Sequence, residues 1–395
     1  MTGVAPGPWL RACALLAAAG AVLAVVTGEA HLGAAHRTIA ALAAPPLAAL
    51  VVAAWLAHRR LVPAVLASAA LFAAAAALPG RTTHAVFAAL ALAALLAVGV
   101  QSLAGERTPW GTWRDYVTLT KPRIMSLLLV TGFCGMIAGA RGWPGTGTAI
   151  AATVGLALAC GGASALNHVL DRDIDPLMGA RTQRRPVASG RVPASRALEF
   201  GLALSALSFV LLASAVNLLT ALLALVGNLF YVLVYTRWLK RTTPQNIVIG
   251  GAAGAVPPLV GWSAATGHVG IAAWILFAIV FVWTPPHFWA LALLIKDNYA
   301  NANVPMLPVV RGERETARQI VLYSVVLLGV TLLPWAVGGA GPFYVVAALA
   351  LGGAFVWLAE RLRRDTSPRR AALLFHYSLL YLALLFAALA LDLAL

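Results

Sequence analysis

Three carboxylates, Asp171, Asp173 and Asp175, fall within five residues at the end of an apolar run, in a chain of 395 residues with only 13 acidic side chains. Asn167, Asp171 and Asp175 are spaced four apart, so on a continuing helix they share one face, with neighbouring Cβ atoms roughly 5–6 Å apart. Like charges stacked in this way repel unless a cation sits among them. A hard divalent ion such as Mg²⁺ suits the set, because it takes oxygen ligands and binds through one or two carboxylates, waters and substrate phosphates. Asp173 points to a different face by the same spacing. Arg181, Arg184 and Arg185 follow, and their forked donors match phosphate oxygens. Acids for a metal followed by arginines for an anion form the pattern of a diphosphate site. The alternative is a solvated loop whose acids pair with its own arginines.

Two further polar loops should lie on the same side of the protein. One carries Lys296, Asp297, Asn298 and Asn301 and again ends an apolar run. The other, Tyr235 to Asn246, offers Arg237, Lys240 and Arg241 as anion contacts, or forms a plain basic loop. His287 lies inside an apolar run, where an ionisable ring is by default a functional candidate; the bland alternative is a hydrogen-bonded packing histidine.

The elements that must position these groups follow from composition. With 61% hydrophobic and 10% charged residues and a mean hydropathy of +0.87, the chain departs from soluble proteins, where roughly a quarter of residues are charged. A net charge of +15 suits basic loops at a membrane surface at least as well as nucleic acid, and with so few polar positions no nucleic-acid partner is expected. Cys13, Cys134 and Cys160 are far apart in apolar runs, which supports neither a disulfide framework nor a thiolate metal site. About thirteen runs approach the roughly 20 apolar residues that a bilayer-spanning helix needs. Four precede residue 105 and nine follow residue 120, beginning near Ile124, Thr146, Ala197, Leu218, Asn246, Ile271, Ala317, Phe343 and Ala371.

The fold class expected is therefore all-α and polytopic, with a four-helix membrane domain at 1–105, a cytoplasmic linker at 106–123 and a nine-helix bundle at 124–395. Loops after the second, fourth, sixth and eighth of the nine helices hold nearly all the basic residues, whereas the alternate loops carry almost nothing beyond Arg141. The positive-inside rule then puts the site loops in the cytoplasm, and the plasma membrane is the membrane expected. Residues 1–30 read as a first helix inserted with its N-terminus inside rather than as a cleaved signal, because Arg11 alone makes a weak positive region.

The nine-helix part resembles the protoheme IX farnesyltransferase (haem O synthase) family of the intramembrane prenyltransferase superfamily. The Asn-x3-Asp-x3-Asp spacing, in NHVLDRDIDPLMGARTQRRP at Asn167 to Pro186, indicates the superfamily. The haem branch is selected by LTKPR within Asp115 to Met136, NIVIGGAAGA within Tyr235 to Trp262, and WTPPHFWALAL at Trp283 to Leu293. NVPMLPVVRG at Asn303 to Gly312 extends the likeness.

The resemblance implies transfer of a farnesyl group from farnesyl diphosphate to a vinyl group of haem b. Asn167, Asp171, Asp175 and Asp297 would be catalytic, with Asp171, Asp175 and Asp297 holding one or two Mg²⁺ ions. Arg181, Arg185, Lys240, Lys296 and His287 would bind substrate. The chain departs from the family pattern in two places: there is one residue more between Asp175 and Arg181, and Asn298 stands before Tyr299 where the family has Asp, which would weaken a second metal site. Haem A synthase and the assembly of a haem-copper oxidase are the partners implied.

In the front domain, His36 in AAHRTIAAL and His84 in TTHAVFAAL begin alternate helices, in a weak resemblance to half of haem A synthase. That geometry suits a bis-imidazole haem; interfacial histidines starting helices are the alternative. Other readings of the whole chain are prenylation of a quinone precursor or chlorophyllide, or a transport or haem-binding protein without catalysis.

Overall fold

The computed structural model describes residues 111–394. The four helices expected before residue 105, with His36 and His84, lie outside the described residues. Among those described, the architecture is all-α, and nine helices are long and apolar enough to cross a membrane. In chain order the elements are α1 (Trp113–Thr120), α2 (Pro122–Ala140), α3 (Thr146–Leu170), α4 (Ala194–Ala215), α5 (Leu218–Thr242), α6 (Asn246–Thr266), α7 (Ile271–Leu294), α8 (Lys296–Asn301), α9 (Gly312–Thr331), α10 (Pro342–Arg364) and α11 (Pro368–Ala394). The protein is a multi-pass membrane protein, and exposed tryptophans mark both ends of its bundle. Trp238 and Trp357 lie toward the ends that carry the acidic loops, and Trp143, Trp274 and Trp335 toward the opposite ends, as aromatic belts do at the two interfaces.

The expected helix starts agree with the structure to within a few residues, and the largest shift has a physical cause. α9 begins at Gly312 rather than Ala317 because its first turn, with Glu313 and Glu315, is charged helix extending beyond the apolar zone. Acidic side chains there complement the helix dipole.

Small residues let the helices approach closely, which is how membrane helices gain packing where the hydrophobic effect gives little. α2 lies along α6, where Gly132 and Gly135 face the backbone of Pro257 and Pro258, and Gly261 sits against the carbonyl of Gly132. A side chain at 261 has no space. Gly261→Val is therefore expected to destabilise the bundle by about 1–3 kcal/mol or more, seen as a lowered unfolding midpoint in bilayer discs. An unchanged midpoint would contradict this packing. Along the α3–α4 contact, the Ser208 hydroxyl donates to the Gly155 carbonyl at 2.6 Å, and Gly162 packs on Gly201 and Ser205. A second packed region, where α10 and α11 meet, buries Tyr344, Phe355, Tyr381 and Phe386.

α1 is a short amphipathic helix rather than a span. Thr112 and Asp115 form a capping box at its start, Leu119 is buried, and Trp113 and Val117 remain exposed. Asp115 also accepts from Arg191 Nε at 2.8 Å. Hydrogen bonds from Arg191 and then Thr112 hold its carboxyl down at about 2. A depressed folded-state pKa gives stability that is present above the unfolded value and lost as pH falls through the folded one. Acidification from about 4 to about 2 should therefore release α1 from the loop that carries Arg191. The expected readout is faster proteolysis of residues 111–121 in the unmodified chain over that interval, with Asp115→Asn fast at all pH values; identical profiles would contradict the assignment.

Candidate active site

The site is assembled at one end of the bundle by the end of α3, the loop after it, the end of α5 and the junction between α1 and α2. α3 stops at Leu170, with Asp171 as its C-terminal cap, and the Asp175 amide donates to the Asp171 carbonyl at 2.8 Å. One further i→i+4 turn thus carries the carboxylate row past the end of the regular helix. Asn167 Nδ2 donates to Asp171 Oδ2 at 2.8 Å and to Thr236 Oγ1 at 3.2 Å. Lys240 Nζ donates to the same Asp171 oxygen at 2.6 Å, and Arg185 Nη1 meets Asp175 Oδ1 at 2.6 Å.

Local backbone shapes place the cations. Phe230–Leu239, in the second half of α5, winds as a π-helix, a geometry that recurs at functional sites. Thr236 and Lys240 from this half reach α3, and the Tyr231 and Tyr235 rings stack with centroids 5.5 Å apart. Lys121 separates α1 from α2 in a left-handed conformation, φ 51°, which a non-glycine residue adopts only under constraint. Pro122 then begins α2, and the Lys121 ammonium donates to Asn167 Oδ1 at 2.6 Å. Burial, reinforced by the nearby Arg185 charge, holds the Lys121 ammonium down to about 7. Burial pushes the Asp175 carboxyl up, against the pull of Arg185, and pushes the Tyr299 hydroxyl up to about 12.

Asp171 and Asp175 are fully buried, and each spends one oxygen on an ion pair. Their other oxygens, Asp171 Oδ1 and Asp175 Oδ2, are buried without any hydrogen-bond partner. The nearest guanidinium to Asp171 Oδ1 is Arg241, at 3.9 Å. Orphaned buried carboxylate oxygens are costly. Two of them, four residues apart, are the hard oxygen donors that a divalent cation takes. His168, next to Asn167, is also buried with both ring nitrogens unpartnered.

The structure brings together Asn167, Asp171, Asp175, Arg185 and Lys240, and leaves other expected residues apart. Arg181 is exposed and makes no polar contact among the described residues. Lys296 pairs with Glu313 at 3.0 Å instead of turning to an anion. Asp297 is exposed in the first turn of α8, and among the described residues no three His, Cys, Asp or Glu side chains form a metal-binding group. The set of Asp171, Asp175 and Asp297 is therefore not assembled here, although the two acidic loops do touch, through Gly179 and Asn298. Asp173 forks onto Arg241 at 2.6 and 2.7 Å, away from the row, as its spacing requires.

His287, on α7, is stacked between Trp283 (4.3 Å) and Phe375 (4.9 Å), and its Nδ1 meets Ser378 Oγ at 2.6 Å. Its Nε2 makes no hydrogen bond to the described residues. Residue spacing does not single out Lys121, Thr236 or Ser378, since each acts on a group far away in the chain. The KPR triplet at Lys121 was the one local signal.

A family model described as the UbiA prenyltransferase family matches residues 128–389. A protein from Symbiobacterium thermophilum named protoheme IX farnesyltransferase is 54% identical over 281 residues, 71% of this chain and 94% of that protein. One of the same name from Thermus thermophilus is 52% identical over 285 residues, 72% of this chain but 47% of its own length, so this chain spans about half of it. Among solved structures, a UbiA homologue from Archaeoglobus fulgidus bound to DMAPP and Mg²⁺ has a TM-score of 0.54 at 18% identity, covering 70% of this chain and 99% of that one. A structure described as digeranylgeranylglyceryl phosphate synthase has a TM-score of 0.60 at 17% identity, covering 71% and 98%. At such identities the structural likeness speaks to the fold alone. With the family match over most of the chain and relatives above half identity, the protein belongs to the UbiA prenyltransferase family and is a transferase of that family.

Proposed function

We propose that the protein transfers the farnesyl group of farnesyl diphosphate to a vinyl group of haem b, with water completing the side chain of haem O. The observation that carries the chemistry is the pair of orphaned oxygens on Asp171 and Asp175, set among Lys121, Arg185 and Lys240. The names of the relatives and the WTPPHFWALAL segment favour haem as acceptor and farnesyl as donor.

Asp171 and Asp175 would hold Mg²⁺, which when bound neutralises charge growing on a leaving diphosphate. Arg185 and Lys240 already sit on these carboxylates and supply donors for the phosphate oxygens. Lys121 tethers Asn167, so the carboxylate row is held from both sides. Such preorganised donors stabilise the separated charges without having to reorient. The C–O bond to the diphosphate breaks with its electron pair on the leaving group. The terminal vinyl carbon of haem then bonds to farnesyl C1. Water adds at the carbon next to the haem ring, and its surplus proton passes to the released diphosphate. An apolar bundle interior keeps water from the allylic cation before the vinyl carbon reaches it. His287 is assigned to the haem substrate, held by Ser378 with Nε2 free to make a contact.

In this reading the site loops face the cytoplasm from the plasma membrane, and haem A synthase or a haem-copper oxidase assembly receives the product. We extend the proposal to residues 1–105 as a separate membrane domain, with His36 and His84 as its candidate haem ligands. The test is acceptor competition. The full chain in bilayers is supplied with farnesyl diphosphate, Mg²⁺ and equal haem b, an aromatic quinone precursor and chlorophyllide, and products are read by mass spectrometry. Farnesyl plus water on haem alone supports the proposal; a prenylated quinone precursor or chlorophyllide replaces the acceptor; no prenylated product leaves binding or transport.

A further inference from the structure

Arg185 does not reach Asp175 from a regular element but from the loop between α3 and α4, and the geometry of that loop shows what aims it. The segment is closed by short backbone bonds, from Ser189 N to Arg185 O at 2.9 Å and from Val192 N to Pro186 O at 3.0 Å. Its far end carries Arg191, whose guanidinium joins two partners. Nη2 donates to the carbonyl of Arg184 at 2.9 Å, and Nε donates to Asp115 at 2.8 Å. The Arg184 carbonyl belongs to the peptide bond that leads into Arg185. Asp115 is itself fixed, by the Thr112 amide at 3.0 Å and the Thr112 hydroxyl at 2.7 Å. Just before that cap, Gly111 (φ +66°) lies so close to the loop that a Cβ would come within 2.7 Å of Val192 and 3.2 Å of the Arg191 carbonyl.

From these contacts we infer that Asp115, acting through Arg191, is a positioning residue that aims Arg185 at the diphosphate site. Asp115 has its two oxygens on Arg191 and Thr112, so its effect on an anion at the site runs through the loop. The same carboxylate that caps α1 thereby ties the helix entering the bundle to the arginine that contacts the acidic row. Misplacing a charged contact by about 1 Å costs on the order of 100-fold in a preorganised site, so a lost clamp should be measurable without loss of the fold. The inference rests on the diphosphate reading of the site.

The test is a double-mutant cycle on the full-length chain in bilayer discs, with binding of inorganic diphosphate in the presence of Mg²⁺ read by calorimetry. Asp115→Asn keeps the shape of the side chain and is expected to weaken diphosphate binding about tenfold in the unmodified background, and less than twofold in an Arg185→Ala background. Groups acting as a unit are non-additive in this way. Arg191→Gln breaks the same link from its half-exposed side and should repeat the pattern if Asp115→Asn fails to fold. An equal loss in both backgrounds, or no loss in either variant, would overturn the inference. If the unmodified chain binds no diphosphate, the site reading itself fails and takes the inference with it.

Discussion

Asp171→Ala and Asp175→Ala are each expected to lower prenyl transfer by a factor on the order of 10³, while the protein still inserts in the membrane. Removing one preorganised group that stabilises developing charge typically costs 10²- to 10³-fold in turnover, and these two residues carry the two orphaned carboxylate oxygens among the described residues. Asp171 also receives Lys240 and Asn167, so its loss leaves a buried ammonium without a partner, which costs about 3–5 kcal/mol. Asp171→Asn separates the two effects, because an amide oxygen still accepts from Lys240 while one carboxylate oxygen is gone. It should insert, unfold closer to the unmodified chain than Asp171→Ala does because the hydrogen bond to Lys240 is kept though its countercharge is not, and still be inactive. Turnover retained in both alanine variants would remove the metal and diphosphate assignment.

His287→Leu is expected to cut product formation about 100-fold and to leave diphosphate binding unchanged, as suits a residue that serves the acceptor and not the donor. The ring is held on both faces by Trp283 and Phe375 and at one nitrogen by Ser378. Leucine keeps the apolar volume and loses the polar edge. Ser378→Ala should show a smaller loss of the same kind, because the ring stays stacked while its orientation loosens. Product formation is followed with haem b varied at saturating farnesyl diphosphate, and diphosphate binding by calorimetry. Full turnover with His287→Leu would make the histidine a packing residue, and an equal loss of diphosphate binding would place it in the donor site.

Much of this arrangement was legible along the chain. Apolar run lengths placed the nine spans, because a bilayer demands them, and the spacing of Asn167, Asp171 and Asp175 put three polar groups on one face. That face survives even though α3 ends at Leu170, since Asp175 continues the turn onto Asp171. Less legible was everything decided between distant segments. The π-helical stretch of α5 has no local signature, yet it carries Thr236, and Lys240 just after it, to α3. Lys296 and Lys240 looked alike as basic loop residues; one finds Glu313 and the other Asp171, a difference set by tertiary packing. Asp297 sits next to a loop that touches Gly179, but faces out of the cluster because α8 presents Asn298 and Tyr299 inward instead.

Chromatography of haems extracted from membranes expressing the full chain, beside the Asp171→Ala variant, tests the central claim most directly. The account predicts haem O from the unmodified chain and haem b alone from the variant. Haem b alone from a correctly inserted unmodified chain, supplied with farnesyl diphosphate and Mg²⁺, would contradict it.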